Sequence, residues 1–291
     1  MPATITRRAR AKLNLALHVT GRRDDGYHTI ETLVVFADFG DTITVKPAVQ
    51  DGFETDGPYS ARVPGGPDNL VLKARDALRA AADAPTPPAS IRLEKTLPPA
   101  SGVGGGSSDA AATLIALDQL WGLHMGERDL AAVGQALGAD VPMCLAEHPL
   151  VAKGIGEIIE PVAGLPALAL VLVNPGVEVA TPAVFAALGR RDNAPLPRLP
   201  DVGDNNILVD WLAASTRNDL EAPARAIAPQ IDDVLDALAG TGARFARMSG
   251  SGATCYGVFP TVGDAGIAAV TIRRNNPGWF VTATTTLASG D

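Results

Sequence analysis

Apolar and polar residues alternate at the start of the chain. Between residues 13 and 19, leucine or valine occupies every second position, which predicts a β-strand with one apolar face. The sequence DDG at 24–26 marks a turn, and a second strand is expected over residues 29–36. The segment DFGD at 38–41 is interpreted as another turn that leads into a strand at 42–46. The first part of the chain is therefore predicted to be rich in antiparallel strands.

Helical spacing dominates the next part of the chain. Asp68 is expected to cap a helix over about 69–82, because Asp before a periodic apolar segment is a typical N-cap. Residues 91–95 alternate as a strand. Apolar residues at helical spacing predict two further helices, at 107–121 and 127–137.

Beyond residue 150 the pattern mixes strands with helices. It first predicts a buried strand at 167–173, a helix starting at Thr181-Pro182, and helices at 205–215 and 229–239. A strand, a glycine turn at 249–252, a strand at 254–259, another helix and a final strand at 280–286 are predicted to follow. Short turns between these elements imply antiparallel connections, so the predicted fold class is α+β. The change of pattern predicts two domains, residues 1–160 and 161–291.

Composition narrows the class of protein. The chain has 291 residues, 46% of them hydrophobic, which is enough for a large core. A net charge of -8 argues against a nucleic-acid partner. The cysteines, Cys144 and Cys255, match no zinc-site spacing, and the longest apolar run, ALALVLV, is too short to span a membrane. Because the N-terminal segment also lacks the apolar core of a secretory signal, we expect a cytoplasmic protein with no membrane partner.

The segment PPASGVGGGSSDAAAT, residues 98–113, consists mostly of small residues. Glycines let backbone N–H groups approach a bulky anion and allow the positive φ angles that point successive N–H groups inward. A helix starting at Ser107 or Ser108 would add its free N–H groups and its dipole. We expect a phosphate-binding loop here. The alternative is a tight strand-to-helix turn that packs closely against the alanines.

Two common phosphate-binding loops do not match this segment. A P-loop ends in Gly-Lys-Ser/Thr, and this loop contains no lysine. A dinucleotide-binding loop has glycine where Ser107 stands and lies in a βαβ unit. The pattern P-x3-G-[VL]-G-x-[GS]-S-S-x-A-A instead resembles the ATP-binding loop of the GHMP kinase superfamily, which phosphorylates small-molecule alcohols.

The resemblance to GHMP kinases extends over nearly the whole chain. The similar segments are, in order, AKLNLALHVTGRRDDGYHTIETL, LPPASGVGGGSSDAA, LGADVPMCL, GIGEIIEPV, NDLE and RMSGSGATCYGVF. The resemblance implies a two-domain fold, with an N-terminal ATP-binding domain of the ribosomal protein S5 domain 2-like type and a ferredoxin-like C-terminal domain.

The sequence GYH at 26–28 resembles one branch of that superfamily. The branch implies ATP-dependent phosphorylation, with Mg²⁺, of the 2-hydroxyl of a cytidine diphosphate-linked methylerythritol in non-mevalonate isoprenoid synthesis. The implied partners are ATP and this small molecule, and we expect a monomer or a weak homodimer.

Lys12 and Asn14 share one face of the first predicted strand, because strand side chains alternate with period two. The alternative for Lys12 is an exposed, solvated charge. Asp140 follows a predicted helix end and precedes Pro142, so its alternative is a cap or turn residue. The resemblance implies a catalytic pair, in which Asp140 accepts the proton of the alcohol while Lys12 keeps Asp140 ionised and stabilises developing charge.

A tyrosine and a histidine follow the first turn in a chain with few aromatic residues. Tyr27 is suited to stack on a cytosine and His28 to recognise its hydrogen-bonding edge, an assignment that the resemblance also implies. Their alternatives are a loop-packing aromatic and a surface histidine. Asn14 is assigned to the substrate, Phe185 is either a second stacking wall or a core residue, and Thr181 is either a substrate contact or an N-cap.

The resemblance also assigns an ATP site. Its residues are Asn69, Lys95, Pro98, Ser101, Gly102, Gly104, Gly105, Gly106, Ser107, Ser108 and Asp109. Asn69 and Lys95 are expected on the adenosine side, with a helix cap and a strand end as their alternatives. Asp109 departs from the asparagine that family members often carry beside the adenosine. The turn SGSG at 249–252 is either a simple hairpin turn or, as in the family, part of the phosphate site, and no metal ligand is assigned.

Two other functions fit parts of the sequence. One is a GHMP kinase that acts on a sugar, homoserine or a mevalonate-type alcohol, which the GYH sequence argues against. The other is a non-catalytic nucleotide-binding regulator on the same fold. The presence of Lys12, Asp140 and the glycine loop argues against that regulator.

Overall fold

The computed structural model describes residues 4–201 and 203–288. The chain forms two compact units, and each unit is assembled from separate stretches of chain. The first unit comprises Met1–Ala11, Phe39–Pro99 and Gly104–Glu147, and the second unit comprises Lys12–Asp38, Ala100–Val103 and His148–Asp291.

The described residues form ten strands, nine α-helices and one short 3-10 helix at Ser60–Arg62. The strands are β1 (Ile5–Arg22), β2 (His28–Pro47), β3 (Gly52–Asp56), β4 (Ala89–Glu94), β5 (Leu150–Gly154), β6 (Ile158–Pro161), β7 (Ala169–Asn174), β8 (Phe245–Met248), β9 (Cys255–Phe259) and β10 (Phe280–Thr285). The helices are α1 (Leu70–Ala81), α2 (Gly105–Trp121), α3 (Glu127–Leu137), α4 (Val141–Ala146), α5 (Thr181–Ala186), α6 (Asn205–Ser215), α7 (Glu221–Ile227), α8 (Gln230–Gly240) and α9 (Val262–Asn275).

Within the first unit, the last part of β2 pairs with β4 and helices α1 to α4 pack on one another. The β2–β4 register is antiparallel, from Thr42 opposite Glu94 to Pro47 opposite Ala89, whereas β3 runs parallel to β4. Helix α2 packs against α1, α3 and α4. Because the α2 residues from Ala110 to Ala112 are small and buried, the neighbouring helices approach it closely.

Within the second unit, the first part of β2 pairs with β5, and β5 pairs with β6, both antiparallel. A second, antiparallel sheet has the strand order β10-β7-β9-β8. Helix α8 contacts β8 and β9, and α9 contacts β7 and β10, so their apolar faces close a core that includes Val171, Ile231 and Ile272. The prediction of an α+β fold class is confirmed.

One predicted turn is wrong. The DFGD segment does not reverse the chain, because β2 continues through it from His28 to Pro47. A Cβ atom at Gly40 would overlap the carbonyl oxygen of Ala9, so this glycine allows a close approach of two backbones inside the sheet. Asp41 is wholly buried in the same strand, where it serves as an ion-pair partner and not as a turn residue.

The sequence pattern also missed the shortest elements. Helix α4 has 6 residues and α7 has 7, which is less than two helical turns and too short to show a 3.6-residue period. Strands β3, β5 and β6, of 4 or 5 residues each, were also missed. Among the described residues, none of the helices combines the length and the apolar character needed to cross a membrane.

Candidate active site

The glycine loop of the first unit ends in a helix without a side-chain cap. Helix α2 begins at Gly105, two or three residues earlier than predicted, after Gly104 with a φ of 65°. The first intrahelical bond runs from Ser108 N to Gly104 O, so the helix leaves the N–H groups of its first three residues without intrahelical acceptors. No acidic residue lies in its first turn. This combination favours an anionic ligand.

The remaining residues of the loop in this unit differ in exposure. Pro98 is buried, Gly106 is exposed and Ser107 is half-buried. Ser108 is buried, and its hydroxyl donates to Cys144 Sγ at 3.3 Å. The backbone of Ser108 therefore belongs to the helix start, while its hydroxyl is directed to a neighbouring helix.

In the second unit, Ser101 and Gly102 are held against the SGSG turn. Gly102 has a φ of 78°, and a Cβ atom there would lie 2.5 Å from Ser249 O. Ser249 Oγ donates to Gly102 O at 3.0 Å, and Thr254 N donates to Ser101 O at 3.0 Å. The turn connects β8 to β9, as the hairpin interpretation predicted, and it also fixes this part of the glycine loop.

Lys12 and Asn14 are buried on β1, with 5% and 2% of their surface exposed, so the interpretation of Lys12 as a solvated charge is wrong. Both faces of this strand are covered from Ala11 to Val19. Lys12 Nζ donates to Asn14 Oδ1 at 3.2 Å, and Lys12 N donates to Val103 O at 2.9 Å. The ammonium is therefore fixed in position within the second unit.

Asn14 also organises the residues around it. Its Nδ2 donates to Thr32 Oγ1 at 2.8 Å, and its backbone N donates to Ser249 Oγ at 3.1 Å. Thr32 Oγ1 in turn donates to Ala16 O at 2.6 Å. The buried side chain that positions Lys12 is thus itself held by hydrogen bonds, which limits the rotamers available to it.

Asp140, in the first unit, occupies the N-cap position of α4, but its side chain forms no capping hydrogen bond. The carboxylate is half-buried, and Pro142 lies in the first turn of the helix. Of its two alternatives, the capping carboxylate is therefore wrong, whereas Asp140 does lie in the turn that leads into α4. The structure places Lys12 in one unit and Asp140 in the other.

The residues assigned to the cytosine lie in the second unit. Tyr27 is 61% exposed, and its N–H donates to Asp25 Oδ1. The His28 ring stacks on Phe185 with ring centroids 4.9 Å apart. Burial lowers the pKa of His28, and the charges of Arg22 and Arg191 lower it further, which favours the neutral imidazole.

Phe185 and Thr181 both lie on α5. Phe185 packs against the core of the second unit, as its interpretation as a core residue predicted, and its ring also stacks on His28. Its role as a stacking wall for the cytosine stays a prediction. The N-cap of α5 is Ala180, which makes the prediction of Thr181 as N-cap wrong. The Thr181 and Ser251 hydroxyls share a hydrogen bond at 2.7 Å, which links α5 to the SGSG turn.

Asn69, not Asp68, is the N-cap of α1, so the prediction for Asp68 is wrong and the capping alternative for Asn69 is correct. The Asn69 side chain accepts from Val71 N at 2.8 Å and donates to Pro64 O at 2.7 Å. Both residues are favourable cap types, and a one-residue shift of this kind is below the resolution of a sequence pattern.

Lys95 lies just beyond β4 and is buried in a three-residue ionic cluster. Its Nζ is 2.5 Å from Asp41 Oδ2 and 2.6 Å from Asp109 Oδ2. Burial and the Asp41 charge raise the pKa of Asp109, while Lys95 opposes the rise. A Cβ atom at Gly105 would lie 3.3 Å from Lys95 Nζ, so the cluster lies directly beside the first turn of α2.

Three residues with structural roles at these sites had no assigned role in the sequence analysis. Asp41 Oδ1 accepts from the backbone N–H groups of residues 96 and 97, at 2.6 and 2.7 Å. Asn218 Nδ2 donates to Met248 O and Gly250 O, both at 2.8 Å, and Asp219 Oδ2 accepts from Val19 N at 2.7 Å. The NDLE segment was the available signal for the last two.

Comparison with known proteins gives the family. The family model described as "GHMP kinases N terminal domain" matches residues 69–148, and "GHMP kinases C terminal" matches residues 196–277. The fold and the glycine loop thus define the chain as a GHMP kinase.

The curated relatives are more specific. The 4-diphosphocytidyl-2-C-methyl-D-erythritol kinase of Mesorhizobium japonicum is 56% identical over 282 residues, which cover 97% of this chain and 95% of the relative. The kinase of the same name from Brucella melitensis is 54% identical over 281 residues, covering 95% and 93%. The chain belongs to the 4-diphosphocytidyl-2-C-methyl-D-erythritol kinase family and is an enzyme.

Solved structures agree with this family. A crystal structure of 4-(cytidine 5'-diphospho)-2C-methyl-D-erythritol kinase has a TM-score of 0.80 at 34% identity and covers 97% of this chain and 99% of that chain. A homoserine kinase from Cytophaga hutchinsonii has a TM-score of 0.70 at 18% identity, covering 99% and 96%, which shows the shared fold alone.

Proposed function

We propose that the chain transfers the γ-phosphoryl group of ATP to the 2-hydroxyl of 4-diphosphocytidyl-2-C-methyl-D-erythritol, a step of the non-mevalonate isoprenoid pathway. Identity of 54% and 56% to kinases of that name supports the substrate. The structural observation that carries the proposal is the start of α2, where a glycine N-cap leaves free N–H groups and no acidic side chain. Such a helix start suits the phosphates of ATP.

The proposed ATP site fits a bulky anion. The first turn of α2 carries no Cβ atoms at Gly105 and Gly106, so the backbone is open to approach. We assign to ATP the residues Asn69, Lys95, Pro98, Ser101, Gly102, Gly104, Gly105, Gly106, Ser107, Ser108 and Asp109. Asn69 and Lys95 already bind other protein groups. We therefore expect them to position the residues around the adenosine and not to form direct hydrogen bonds with it.

Asp140 and Lys12 are the proposed catalytic residues. Phosphoryl transfer depends mainly on positioning and on stabilising charge, with one group to orient or deprotonate the attacking hydroxyl. Asp140 is proposed to accept that proton, because a carboxylate at the start of α4 has the chemistry of a general base. Lys12 is proposed to stabilise the negative charge that develops on the transferred group, and its buried, hydrogen-bonded ammonium suits that role.

The substrate is proposed to bind through Asn14, Tyr27, His28, Thr181 and Phe185. The exposed Tyr27 ring is available for stacking on the cytosine. His28 is held by Phe185, so its imidazole edge has a fixed direction toward a hydrogen-bonding base edge. The lowered pKa of His28 favours the neutral imidazole, in which one ring nitrogen donates and the other accepts.

Mg²⁺ is proposed as the cofactor that neutralises the phosphates. It keeps several waters and commonly takes only one or two protein carboxylates plus phosphate oxygens. The described residues contain no group of three or more His, Cys, Asp or Glu side chains arranged for a metal, and a nucleotide-borne ion does not require one. Asp140 carries a carboxylate of suitable chemistry.

The domain boundary and the assembly are also proposals. We propose an ATP-binding domain at residues 1–160 and a C-terminal domain at 161–291, because the two family models lie on either side of residue 160. We further propose a cytoplasmic enzyme that acts as a monomer or a weak homodimer.

A substrate panel tests the function. ADP release would be measured with the cytidine diphosphate-linked methylerythritol, homoserine, mevalonate and galactose, each at matched concentrations. We expect kcat/KM for the first to exceed the others by several orders of magnitude, because buried polar groups discriminate strongly against substrates that leave them unpaired. A preference for any simple alcohol would refute the proposed substrate, and ATP binding without turnover would favour a regulator.

A further inference from the structure

Two arginines near His28 lack acidic partners among the described residues. Arg22 Nε donates only to Gly26 O, at 3.4 Å, and Arg191 Nη2 only to Ala186 O, at 3.5 Å. Both distances are at the limit of a hydrogen bond, so neither guanidinium is well satisfied. Within residues 4–201 and 203–288, neither arginine forms an ion pair.

Their neighbours are paired, which makes the contrast local. Arg23 forms an ion pair with Asp25 at 2.8 Å, and Arg190 forms one with Asp192 at 3.0 Å. In each pair of consecutive arginines, Arg22-Arg23 and Arg190-Arg191, one guanidinium therefore has an acidic partner and the other has none among the described residues. The uncompensated charges of Arg22 and Arg191 both act on the same imidazole, because both lower the pKa of His28.

Two buried nitrogens in this group have no partner within the part of the chain that the structure describes. Arg191 Nε and His28 Nε2 are both shielded from solvent and form no hydrogen bond there. A buried donor without an acceptor is destabilising, and in a native structure it points to a missing ligand or water. His28 stacks on Phe185, and Arg191 donates to the carbonyl oxygen of the next residue, Ala186. The two nitrogens therefore belong to side chains that contact neighbouring residues of α5.

The position of Arg191 is not that of a loose surface side chain. Asn193 fixes the loop to β1 by donating both its backbone N–H and its Nδ2 to Val19 O, each at 3.1 Å. Val19 is three residues before Arg22 on the same strand. The fold therefore holds the Arg191 loop near the end of β1, where the second unpaired arginine emerges.

We propose that Arg191 and Arg22 bind the diphosphate of the cytidylyl substrate, beside the stack formed by His28 and Phe185. This inference rests on the proposed function, which supplies a substrate with a diphosphate next to its nucleoside. Guanidinium groups match phosphate oxygens geometrically and carry a fixed positive charge. A diphosphate offers enough acceptors for both arginines and neutralises the local excess of positive charge.

Binding of cytidine and CDP separates this role from simple packing. Titration calorimetry would be done with a saturating non-hydrolysable ATP analogue present, so that CDP cannot enter the ATP site. For Arg191→Gln we expect CDP affinity to fall about tenfold or more, the typical size of a lost charge-assisted hydrogen bond. Cytidine affinity should stay within about twofold, because the nucleoside lacks the phosphates that the arginine contacts.

Arg190→Gln is the matched control, since it removes a neighbouring arginine that is already paired with Asp192. It should leave both affinities unchanged. Arg22→Gln should weaken CDP selectively as well, and it keeps the test valid if Arg191→Gln is unstable. Equal losses for cytidine and CDP, or no loss for CDP in either variant, would overturn the arginine assignment and leave the kinase function intact. A wild-type protein that binds neither ligand would refute the cytidylyl substrate, and this proposal with it.

Discussion

Lys95 Nζ lies 2.6 Å from Asp109 Oδ2, and both side chains are almost completely buried. The same ammonium is 2.5 Å from Asp41 Oδ2, so one cation faces two carboxylates. Burial is the main cause that raises the pKa of Asp109, and the second carboxylate adds to it. The cluster lies beside Gly105, at the start of the proposed phosphate-binding helix.

We predict that Asp109→Asn reduces the loss of stability at high pH. The pKa of Asp109 in the folded protein is raised above its ordinary value of 3.8. The protonated carboxyl therefore contributes its full share to the unfolding free energy only below pH 3.8. That stability is lost as pH rises through the folded pKa, by about 1.4 kcal/mol for each pH unit that separates the folded pKa from the unfolded pKa. Asparagine resembles the protonated side chain, so the variant should lose less unfolding free energy than the wild type when the pH is raised from mildly acidic to mildly alkaline.

Urea denaturation at two such pH values measures this difference. Asp83→Asn, at an exposed position, is the control and should retain the pH dependence of the wild type. Parallel pH profiles for wild type and Asp109→Asn would show that Asp109 ionises in the folded protein as it does in an ordinary exposed site.

Gly102 and Gly105 should respond differently to alanine. At Gly102, with a φ of 78°, a Cβ atom would lie 2.5 Å from Ser249 O, so Gly102→Ala should lower stability by about 1–3 kcal/mol. At Gly105 the nearest atom would be Lys95 Nζ at 3.3 Å, and alanine is favourable inside a helix. Gly105→Ala should therefore cost less stability than Gly102→Ala. It should also bind ATP more weakly, because its methyl group presses on the Lys95 ammonium and shifts the first turn of α2 beside it.

Melting temperatures and calorimetric titration with a non-hydrolysable ATP analogue check both variants. Wild-type ATP affinity in folded Gly105→Ala would contradict the phosphate assignment. In that case the glycines would only turn a strand into a helix.

His18 should make the protein sensitive to acid. Its Nε2 accepts from Arg217 N at 3.2 Å, so the neutral imidazole is required, and its Nδ1 contacts Ala194 O at 3.2 Å. Burial, followed by the Arg217 charge, lowers the pKa of His18 below 6.5. Below pH 6.5 the unfolded chain therefore takes up a proton that the folded protein resists, and stability falls as pH decreases toward the lowered folded pKa.

We predict that acid lowers the melting temperature of His18→Gln less than that of the wild type. The two pH values to compare lie about one unit above and about one unit below the ordinary histidine pKa. Glutamine cannot titrate but can still donate and accept hydrogen bonds. The difference between the two pH values is the quantity to compare, because the substitution also changes packing at both. An equal decrease in both proteins would exclude His18 as the acid-sensitive group.

Local patterns predicted much of the fold. Helices α2, α3, α6 and α8 were found because their apolar spacing extends over at least 11 residues. The wrong predictions fall where tertiary contacts, and not the local sequence, determine the structure. Gly40 resembles a turn residue, yet a backbone contact with Ala9 places it inside a strand.

In the candidate site, too, local motifs identified some residues while features that depend on tertiary contacts were missed. The glycine loop, Lys12 and Asp140 were assigned from the resemblance to family motifs, and their roles stay predictions. The burial of Lys12 was not predicted, because alternation along β1 does not reveal that both faces of the strand are covered. Asp41 was missed because its partner Lys95 is 54 positions away, a separation that no local pattern encodes.

Phosphorus NMR of the reaction product tests the central claim most directly. The enzyme would be incubated with ATP, Mg²⁺ and 4-diphosphocytidyl-2-C-methyl-D-erythritol, with Asp140→Asn in parallel. We predict one new phosphomonoester signal for each ADP formed, an intact diphosphate, and a decrease of about 10²- to 10⁴-fold in rate for the variant. ADP without a phosphomonoester, or a variant as fast as the wild type, would contradict the proposed kinase mechanism.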